Sequence, residues 1–378
     1  MTTDYLVITC GGTGGHFYPG LSVAREQMAR GGRVLLLLSG KNSVDQSRVA
    51  QKFNVPCQVL PYMPSPSIKR PGNFLRFVTG LISGWFIAKK VLKTERPQAV
   101  LGMGSFASLP VILAARCLKI AIFLHDGNAR IGKANRVLSR FAKVLATAFP
   151  AVNRSAVRCK YIVSGMPVRP ELKQDSLSKD AAIAALNDKF KSALAADYFT
   201  ILLFGGSQGA RKLNEVFGQA VKDLAAQGKK IQLIQLTGAG EFEAMSKFYG
   251  ETEFPLLLLP SLDEMHWAFN AADLVISRSG GSTVAELNAF GKYSVVIPYP
   301  FAAELHQDDN ADYLVSLGAA EKVNNGDLSN AVALEILERL SSRSDLALVG
   351  AESILPGAWD GAKNMLNIID ENTGSKAQ

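Results

Sequence analysis

One pattern occurs twice along the chain and constrains its fold more than any other feature. A short apolar run is followed at once by a glycine-rich turn and then by a helical stretch. Residues 5–10 precede the turn GGTGGHFYPG, and residues 198–204 precede the turn GGSQGA. A strand that leads through a glycine turn into a helix is typical of a parallel sheet with crossover helices. The chain is therefore predicted to be an α/β protein with two Rossmann-like parallel-sheet domains.

The same order of elements continues within each half. Further strands are expected over residues 34–38, 99–101, 120–124, 231–237, 256–259, 274–277 and 294–298. At 378 residues the chain is too long for one ordinary domain. We expect an N-terminal domain over residues 1–167 and a C-terminal domain over 168–345. A helical segment over 346–378 is expected to pack back on the N-terminal domain.

Charge and cysteine content narrow the class of function. The four cysteines, at positions 10, 57, 117 and 159, form no CxxC pair, which favours a reducing compartment over a disulfide or zinc protein. The chain shows no signal-peptide pattern and no apolar run long enough to span a bilayer. The net charge of +8 favours an acidic partner, namely anionic lipid, a phosphorylated substrate or nucleic acid. Nucleic-acid binding is disfavoured because no recognised module accompanies the charge.

Three glycine-rich turns are candidate phosphate sites. Residues 11–16 and 205–210 each join a strand to a helix, where backbone N–H groups and the helix dipole attract an anion. Neither turn matches the GxGxxG or Walker pattern, so dehydrogenase and P-loop functions are disfavoured. In the second turn, Ser207 and Gln208 add side-chain hydrogen bonds. For a single such turn, a plain strand-to-helix connection remains an equally good interpretation.

The third turn, RSGGSTVAE, follows the strand predicted at 274–277 and begins with Arg278. Its glycines open a helix near Ser282, which places Glu286 about one turn inside that helix. A carboxylate at this position can accept both hydroxyls of a ribose while the helix N-terminus faces a diphosphate. The alternative, in which Glu286 only complements the helix dipole, stays open.

Two of the four histidines are candidate general bases. His16 and His125 stand at the carboxyl ends of strands, where open α/β sheets bind their ligands. Either can deprotonate a sugar hydroxyl near neutral pH, with His16 the first choice and Asp126 a third. His266 is expected to be packed or exposed on a helix, and His306 lies in another loop after a strand.

Metal chemistry is not supported by the sequence. There is no DxD pair and no His/Cys cluster with ligand spacing, so we predict that neither a metal nor another cofactor is required. Helix N-termini and glycine turns are expected to offset the charge of the diphosphate instead.

Residues 65–96 differ in character from the rest of the chain. They carry seven basic residues against the single acid Glu95, interleaved with aromatic and aliphatic side chains. Such a segment is typical of a surface that rests on anionic lipid. An ordinary buried helix with charged ends is the alternative. The residues predicted to contact the membrane are Lys69, Arg70, Phe74, Phe77, Trp85, Phe86, Lys89 and Lys90.

The motifs, taken in order, resemble a known family. GGTGGHFYPGLSVA, GMGSFAS, HDGNARIGKANRVLSRFA, SGMPVR, FGGSQGARKLN and SRSGGSTVAELNAFGKYSVVIPYPFAAELHQDDNADYL are together similar to the MurG family of glycosyltransferases. The resemblance covers residues 5–320 or so. It implies a GT-B fold, in which two Rossmann-like domains face a cleft. The implied reaction transfers N-acetylglucosamine from UDP-N-acetylglucosamine to undecaprenyl-diphosphoryl-N-acetylmuramoyl-pentapeptide, forming a β-1,4 link with inversion during peptidoglycan synthesis.

The resemblance also implies partners, a location and a set of site residues. The enzyme is expected to be peripheral, at the cytoplasmic face of the bacterial inner membrane, with an anionic membrane surface and cell-wall synthesis proteins as candidate partners. Donor contacts are implied for Thr13, Gly14, Gly15, Asn128, Arg169, Ser207, Gln208, Leu262, Arg278, Gly280, Gly281, Ser282, Thr283, Val284, Ala285, Glu286 and Gln307. Contacts with the acceptor diphosphate are implied for Gly14, Gly15, Gly104 and Ser105.

The chain departs from the family pattern at two points, and several other functions remain to be weighed. It has HDGN where the family usually has HEQN, and Ser105 where the second glycine loop usually has glycine. The rival functions are another GT-B transferase, a UDP-N-acetylglucosamine epimerase and a non-catalytic sugar-nucleotide sensor. The epimerase is expected to lack the basic, apolar 65–96 surface, and the sensor is expected to lack Glu286 and the N-terminal loops.

Overall fold

The computed structural model describes residues 4–64, 71–173, 177–206 and 210–373. The chain folds into two compact units: the first comprises residues 1–169 and 359–378, and the second comprises residues 170–358. The segment expected to start at residue 346 therefore divides, since residues 346–358 belong to the second unit. A tight contact explains this, because a Cβ at Gly350 would lie 2.2 Å from the carbonyl oxygen of Gly291 in the second unit.

The first unit contains a parallel sheet with helices between its strands. Its strands are β1 (Tyr5–Cys10), β2 (Arg33–Leu38), β3 (Cys57–Val59), β4 (Ala99–Gly102), β5 (Ala121–Asp126), β6 (Val144–Thr147) and β7 (Lys160–Val163). Its helices are α1 (Gly14–Ala29), α2 (Ser43–Lys52), α3 (Pro71–Glu95), α4 (Leu109–Cys117) and α5 (Lys133–Leu138), together with the C-terminal helix that is described below. The strand order is β3-β2-β1-β4-β5-β6-β7, and every pair is parallel.

The second unit repeats the architecture with six strands. These are β8 (Phe199–Phe204), β9 (Ile231–Leu236), β10 (Leu256–Leu259), β11 (Leu274–Ser277), β12 (Ser294–Val296) and β13 (Ala320–Lys322). The helices are α6 (Lys179–Phe190), α7 (Arg211–Ala226), α8 (Phe242–Tyr249), α9 (Met265–Ala271), α10 (Gly281–Ala289), α11 (His306–Ser316), α12 (Asn330–Ser341) and α13 (Leu346–Glu352). The order is β10-β9-β8-β11-β12-β13, again with every pair parallel. The predicted fold class, two Rossmann-like parallel sheets, is confirmed.

The last helix, α14 (Gly361–Thr373), lies in the first unit and packs against α1. Its apolar residues Met365, Leu366 and Ile369 are buried in the same core cluster as β1. Arg30, just after α1, donates hydrogen bonds to the side chain of Asn367 and to the carbonyl oxygen of Lys363. The C-terminal helix is thus an integral part of the first unit.

The helix α3 has one packed face and one exposed face. Gly80 and Gly84 allow close approach, because a Cβ at these positions would lie 3.0 Å from the carbonyl oxygen of Tyr62 and 3.2 Å from Pro110 of α4. Four residues further on, Ala88 is fully buried. Among the described residues, no helix has the length and apolar character needed to cross a bilayer.

Candidate functional site

The first candidate site lies at the topological switch point of the first sheet. Strands β1 and β4 are neighbours in the sheet. The strand that follows β1 in the chain, β2, lies on one side of this pair, and the strand that follows β4, β5, lies on the other side. Ligands of open α/β sheets bind outside the carboxyl ends of the strands at this point. The loop after β1 carries GGTGGH and the loop after β4 carries GMGSFAS, so the structure brings the first two predicted motifs together.

The loop after β1 requires glycine at its start. Gly11 has φ +133°, and a Cβ there would lie 2.1 Å from the carbonyl oxygen of Ser39. The helix α1 begins at Gly14, within the glycine-rich turn, with Thr13 as its N-cap. Gly14 and Gly15 therefore supply first-turn N–H groups, which are the groups that a helix N-terminus offers to an anion.

The side chain of His16 is held by the loop after β4. Its Nδ1 lies 2.9 Å from the carbonyl oxygen of Met103. A carbonyl only accepts, so Nδ1 donates and the lone pair of the neutral ring sits on Nε2. The side chain is half-buried, and a Cβ at Gly104 would lie 3.3 Å from the ring, so glycine leaves room for it. His16 thus has the tautomer that a general base needs.

His125 has a different environment. It is 1% exposed, and its Nε2 donates to the carbonyl oxygen of Gly165 at 3.2 Å. Burial lowers the pKa of His125, although the hydrogen bond to Gly165 and the nearby Asp126 carboxylate act in the opposite direction. A buried ring that uses its N–H on a backbone carbonyl is better suited to holding the β5 end in place than to taking a proton from substrate.

Asp126, in the HDGN motif, organises the loop after β5. Its carboxylate accepts hydrogen bonds from the backbone N–H groups of Asn128 and Gly132, at 3.2 and 2.9 Å. The side-chain amides of Asn128 and Asn135 donate to it as well, at 3.3 and 3.0 Å. Asp126 is buried, and the four hydrogen bonds that its carboxylate accepts hold this loop together. Gly127 packs tightly, with its Cβ position 3.0 Å from Met166.

Ser105, the second departure from the family pattern, has a left-handed backbone conformation, with φ +65°. Such a φ is uncommon for serine, and its hydroxyl accepts a hydrogen bond from Ala107 N at 3.4 Å. The hydroxyl also lies 3.6 Å from the Cβ position of Gly12 in the first loop. Ser105 therefore faces the candidate anion site and adds a hydroxyl where glycine would offer only backbone.

Arg169, at the end of the first unit, stacks over Tyr18 of α1, with its guanidinium carbon 5.3 Å from the ring centroid. The ring of Tyr18 in turn lies 3.4 Å from the Cβ position of Gly14. The arginine is thus held near the first glycine loop by a cation–π contact. Tyr18 could not be identified from the sequence, since an aromatic residue on an amphipathic helix is ordinarily part of the core.

The second candidate site is the equivalent switch point of the second sheet. Strands β8 and β11 are neighbours there, and the loops after them carry GGSQGA and RSGG. Gly206 has φ +83°, which glycine adopts readily. Ser207 and Gln208 lie outside the described residues, so their predicted donor contacts stay predictions.

The N-terminus of α10 is arranged for an anion. Gly280 is the N-cap with extended backbone, its carbonyl oxygen accepts from Val284 N at 2.9 Å, and the first turn has no acidic residue. Among the described residues, the buried hydroxyl of Ser282 has no hydrogen-bond partner. With Gly281 and Thr283, this turn offers N–H groups and hydroxyls to a phosphate group.

Glu286 and Leu262 are both largely buried, at 9% and 8% exposure. Glu286 lies on α10 one turn beyond Ser282, and Leu262 follows β10, so both stand at the carboxyl edge of the sheet. The position of Glu286 is consistent with a role toward a ligand hydroxyl, while that role stays a prediction.

Arg278 and Gln307 form hydrogen bonds with the neighbouring loops. Nη1 of Arg278 donates to the carbonyl oxygens of Ile297 and Pro298 and to Oδ1 of Asn325, at 3.1, 3.1 and 2.9 Å. Burial lowers the pKa of Arg278. The side-chain oxygen of Gln307 accepts from Tyr299 N at 2.9 Å. Nη1 of Arg278 therefore stabilises the loop after β12. The sequence motif did not predict this role of the arginine.

The other two histidines lie on helices of the second unit. His266 is 5% exposed on α9, and burial lowers its pKa; His306 begins α11 and is half-buried. Among the residues that the structure describes, no group of three or more His, Cys, Asp or Glu side chains is arranged to hold a metal ion. Metal independence stays a prediction.

The predicted membrane surface is divided between exposed and packed side chains. Phe74 and Phe86 are 49% and 62% exposed, whereas Phe77 packs edge-on against Phe106 and Trp85 lies half-buried beneath Lys89. Lys90 is exposed, and Lys69 and Arg70 lie outside the described residues. The predicted set omitted Leu75 and Ile82, which are 64% and 51% exposed and share a helix face with Phe86. We define Leu75, Ile82 and Phe86 as the α3 apolar face.

Comparisons with known proteins match this architecture. The glycosyltransferase family 28 N-terminal domain matches residues 6–147, and the glycosyltransferase family 28 C-terminal domain matches residues 200–365. The UDP-N-acetylglucosamine–N-acetylmuramyl-(pentapeptide) pyrophosphoryl-undecaprenol N-acetylglucosamine transferase of Citrifermentans bemidjiense is 32% identical, over 96% of this chain and 98% of that protein. The same enzyme of Desulforamulus reducens is 31% identical, over 97% and 98%.

Solved structures agree with these matches. MurG of Acinetobacter baumannii superposes with a TM-score of 0.75 at 27% identity, covering 97% of this chain and 99% of that one. The UDP-GlcNAc 2-epimerase of Neisseria meningitidis superposes with a TM-score of 0.70 at 14% identity, covering 97% and 100%. At that identity the second likeness shows a shared fold alone.

Proposed function

The chain belongs to glycosyltransferase family 28, among the UDP-N-acetylglucosamine–N-acetylmuramyl-(pentapeptide) pyrophosphoryl-undecaprenol N-acetylglucosamine transferases, and from this premise we infer its reaction. It transfers N-acetylglucosamine from UDP-N-acetylglucosamine to undecaprenyl-diphosphoryl-N-acetylmuramoyl-pentapeptide, in peptidoglycan synthesis. The finer proposal is that the new bond is a β-1,4 link formed with inversion. The observation that supports a base-assisted displacement is the hydrogen bond from His16 to Met103, which sets the tautomer of the ring beside a glycine loop.

The donor is proposed to bind in the second unit. The first turn of α10, from Gly281 to Thr283, faces the diphosphate, so that its N–H groups and dipole stabilise the charge that develops as UDP leaves. Glu286, deeper in the same helix, accepts hydrogen bonds from the ribose hydroxyls. Leu262 supplies apolar contact to the uracil, and the loop around Gln307 contacts the sugar.

The acceptor diphosphate is proposed to bind at the first-turn N–H groups of α1, at Gly14 and Gly15, beside Gly104 and Ser105. This places the muramoyl hydroxyl within reach of His16. The hydroxyl has a pKa far above 7, so a base must take its proton while it attacks the anomeric carbon. Nε2 of His16 takes that proton, because Nδ1–H is held by Met103. UDP leaves from the opposite face of the sugar, which inverts the anomeric centre.

The reaction with acceptor separates this function from its rivals. UDP release is measured with UDP-N-acetylglucosamine and, in turn, undecaprenyl-diphosphoryl-N-acetylmuramoyl-pentapeptide, diacylglycerol and no acceptor. We expect release only with the first. Release that is equally fast with diacylglycerol would favour a glycolipid synthase. Conversion of the donor to an epimer without any acceptor would favour an epimerase.

Attachment to a membrane is proposed for α3. The α3 apolar face is exposed on a helix that also carries Lys89, Lys90 and Lys93. Exposed apolar side chains beside lysines match an anionic lipid surface. The enzyme is proposed to be peripheral at the cytoplasmic face of the inner membrane, where a lipid-linked acceptor is accessible, and where cell-wall synthesis proteins are candidate partners.

A further inference from the structure

The second unit has a cavity that none of the roles above uses. Its volume is about 690 Å³, and its lining includes Phe199, Asp273 and Tyr293, which stand at or just before the amino ends of β8, β11 and β12. The glycine loops lie at the carboxyl ends of the same strands. The six residues of β8 span about 20 Å at roughly 3.3 Å per residue, so this cavity is separate from the proposed donor site.

The cavity has a cationic lining. Four basic side chains line it, against the two acids Asp197 and Asp273; the basic residues are Lys179, Lys230, Lys292 and Arg343. Three of these cations have carboxylate partners. Lys179 pairs with Asp273 at 2.6 Å, Lys230 with Asp197 at 2.7 Å, and Arg343 with Asp345 at 2.8 Å.

Lys292 is the exception. Its Nζ donates to the carbonyl oxygen of Ala272 at 2.9 Å, and no carboxylate of the described residues lies within ion-pairing distance of it. Burial lowers the pKa of Lys292 to about 8, with Lys179 adding to this effect and Asp273 opposing it. An ammonium ion has three donors and is costly to bury without an anion. An oxyanion in the cavity would satisfy the donors and compensate the charge of Lys292.

The lining also offers apolar surface for the body of a ligand. Phe290 and Phe199 are half-buried, and Leu346 closes the side formed by α13. Pockets of about 300–1,000 Å³ with apolar walls and a few convergent polar groups are typical of small-molecule sites. The volume of the cavity falls within this range, and its lining carries more charge than is usual for such sites, which suits an anionic ligand.

We propose that this cavity is a binding site for a small metabolite that carries phosphate or carboxylate groups, with Lys292 as the anchor of the oxyanion and Lys179, Lys230 and Arg343 around it. The site is independent of the transferase chemistry, and it stands on the cavity, its cations and the missing carboxylate partner of Lys292.

The test is calorimetric titration of the full-length protein with inorganic pyrophosphate and, separately, with citrate, in the presence of saturating UDP. The two probes distinguish phosphate from carboxylate recognition. We expect at least one to bind with a dissociation constant below about 10 mM, and Lys292→Met to weaken that binding at least about tenfold. Lys247→Met is the matched control, since Lys247 lies on the exposed face of α8, and it should leave binding unchanged.

Binding of UDP to Lys292→Met is the check that the variant is folded and that the donor site is separate. If this variant does not fold, Lys230→Met replaces it, and about a threefold loss of affinity is expected from the removal of one cation. Equal affinity of wild type and variant for both probes would overturn the proposal, as would the absence of any binding by either probe below about 10 mM.

Discussion

The two histidines at the carboxyl ends of β1 and β5 differ in what holds them, and this difference decides which one is suited to catalysis. Half-buried His16 donates from Nδ1 to Met103, whereas fully buried His125 donates from Nε2 to Gly165. His16 therefore stays our proposed base. The structure adds an observation that the sequence could not supply, namely that its tautomer is set by a carbonyl 87 residues away.

We predict that His16→Ala lowers turnover by about 10² to 10⁴ at saturating donor and acceptor, with folding and UDP binding retained, because it removes the general base. His16→Asn keeps an N–H that can donate to Met103 but has no base, so it should be as inactive as the alanine variant. Rescue by asparagine, or more than about a tenth of wild-type turnover in His16→Ala, would transfer the role of base to His125.

The prediction for donor binding concerns Glu286. Glu286→Ala should raise the Michaelis constant for UDP-N-acetylglucosamine at least about tenfold, since the loss of a hydrogen bond to a charged group costs about 1.5–3 kcal/mol. Glu286→Gln keeps one acceptor and should show a smaller increase. Steady-state kinetics with varied donor measures both, and a wild-type constant in the alanine variant would count against this placement of the ribose.

At the scale of secondary-structure elements, α3 combines packing with exposure. Changing Leu75, Ile82 and Phe86 together to serine should reduce sedimentation with anionic phosphatidylglycerol vesicles at least about tenfold, because each residue loses apolar contact with lipid. The matched control changes Val44 and Val152 to serine, since both are exposed apolar residues of the same unit, at 55% and 61%. Unchanged vesicle binding in the triple variant would show that α3 is an ordinary packed helix.

The C-terminal helix gives a prediction about stability. Gly361 begins α14, and a Cβ there would lie 2.1 Å from the carbonyl oxygen of Met166, so Gly361→Ala must displace the first turn of the helix. We expect it to lower the free energy of unfolding by about 1–3 kcal/mol in urea denaturation. Gly326→Ala, where a Cβ meets open space, should change it by less than about 1 kcal/mol. Equal values for the two variants would contradict the tight contact.

The predicted elements show where sequence patterns suffice. The long apolar strands β1, β8 and β9 were predicted within a residue or two, because their apolar pattern is strong. The strands β3, β6, β7 and β13 were not predicted, since each has only three or four residues and so shows too little periodicity. The strand expected over 294–298 ends at Val296, because proline at 298 and 300 cannot donate to a ladder.

The local motifs of the candidate sites could be predicted from the sequence, but the contacts between distant residues could not. The glycine loops and His16 follow from local sequence, since a strand, a turn and a helix adjoin one another along the chain. The saturated carboxylate of Asp126, the bracing by Arg278 and the stacking of Arg169 on Tyr18 depend on contacts that only the folded sheet creates. Long-range contacts of this kind leave no periodic pattern in the sequence.

For the whole molecule, the net charge of +8 agrees with a donor, an acceptor and a membrane surface that are all anionic. Each unit has its glycine loops at the switch point of its own sheet, and the matches to family 28 domains cover both units. We therefore propose that the intact chain performs one reaction, in which the first unit activates the acceptor and the second holds the donor.

The most direct test of this central claim is the structure of the product. The purified full-length chain is incubated with UDP-N-acetylglucosamine and undecaprenyl-diphosphoryl-N-acetylmuramoyl-pentapeptide, with EDTA present. Mass spectrometry and proton NMR then identify the lipid product and the configuration of its new glycosidic bond. We predict one added N-acetylglucosamine in a β-1,4 link. An α link, transfer to another hydroxyl, or no product until a divalent metal is restored would contradict it.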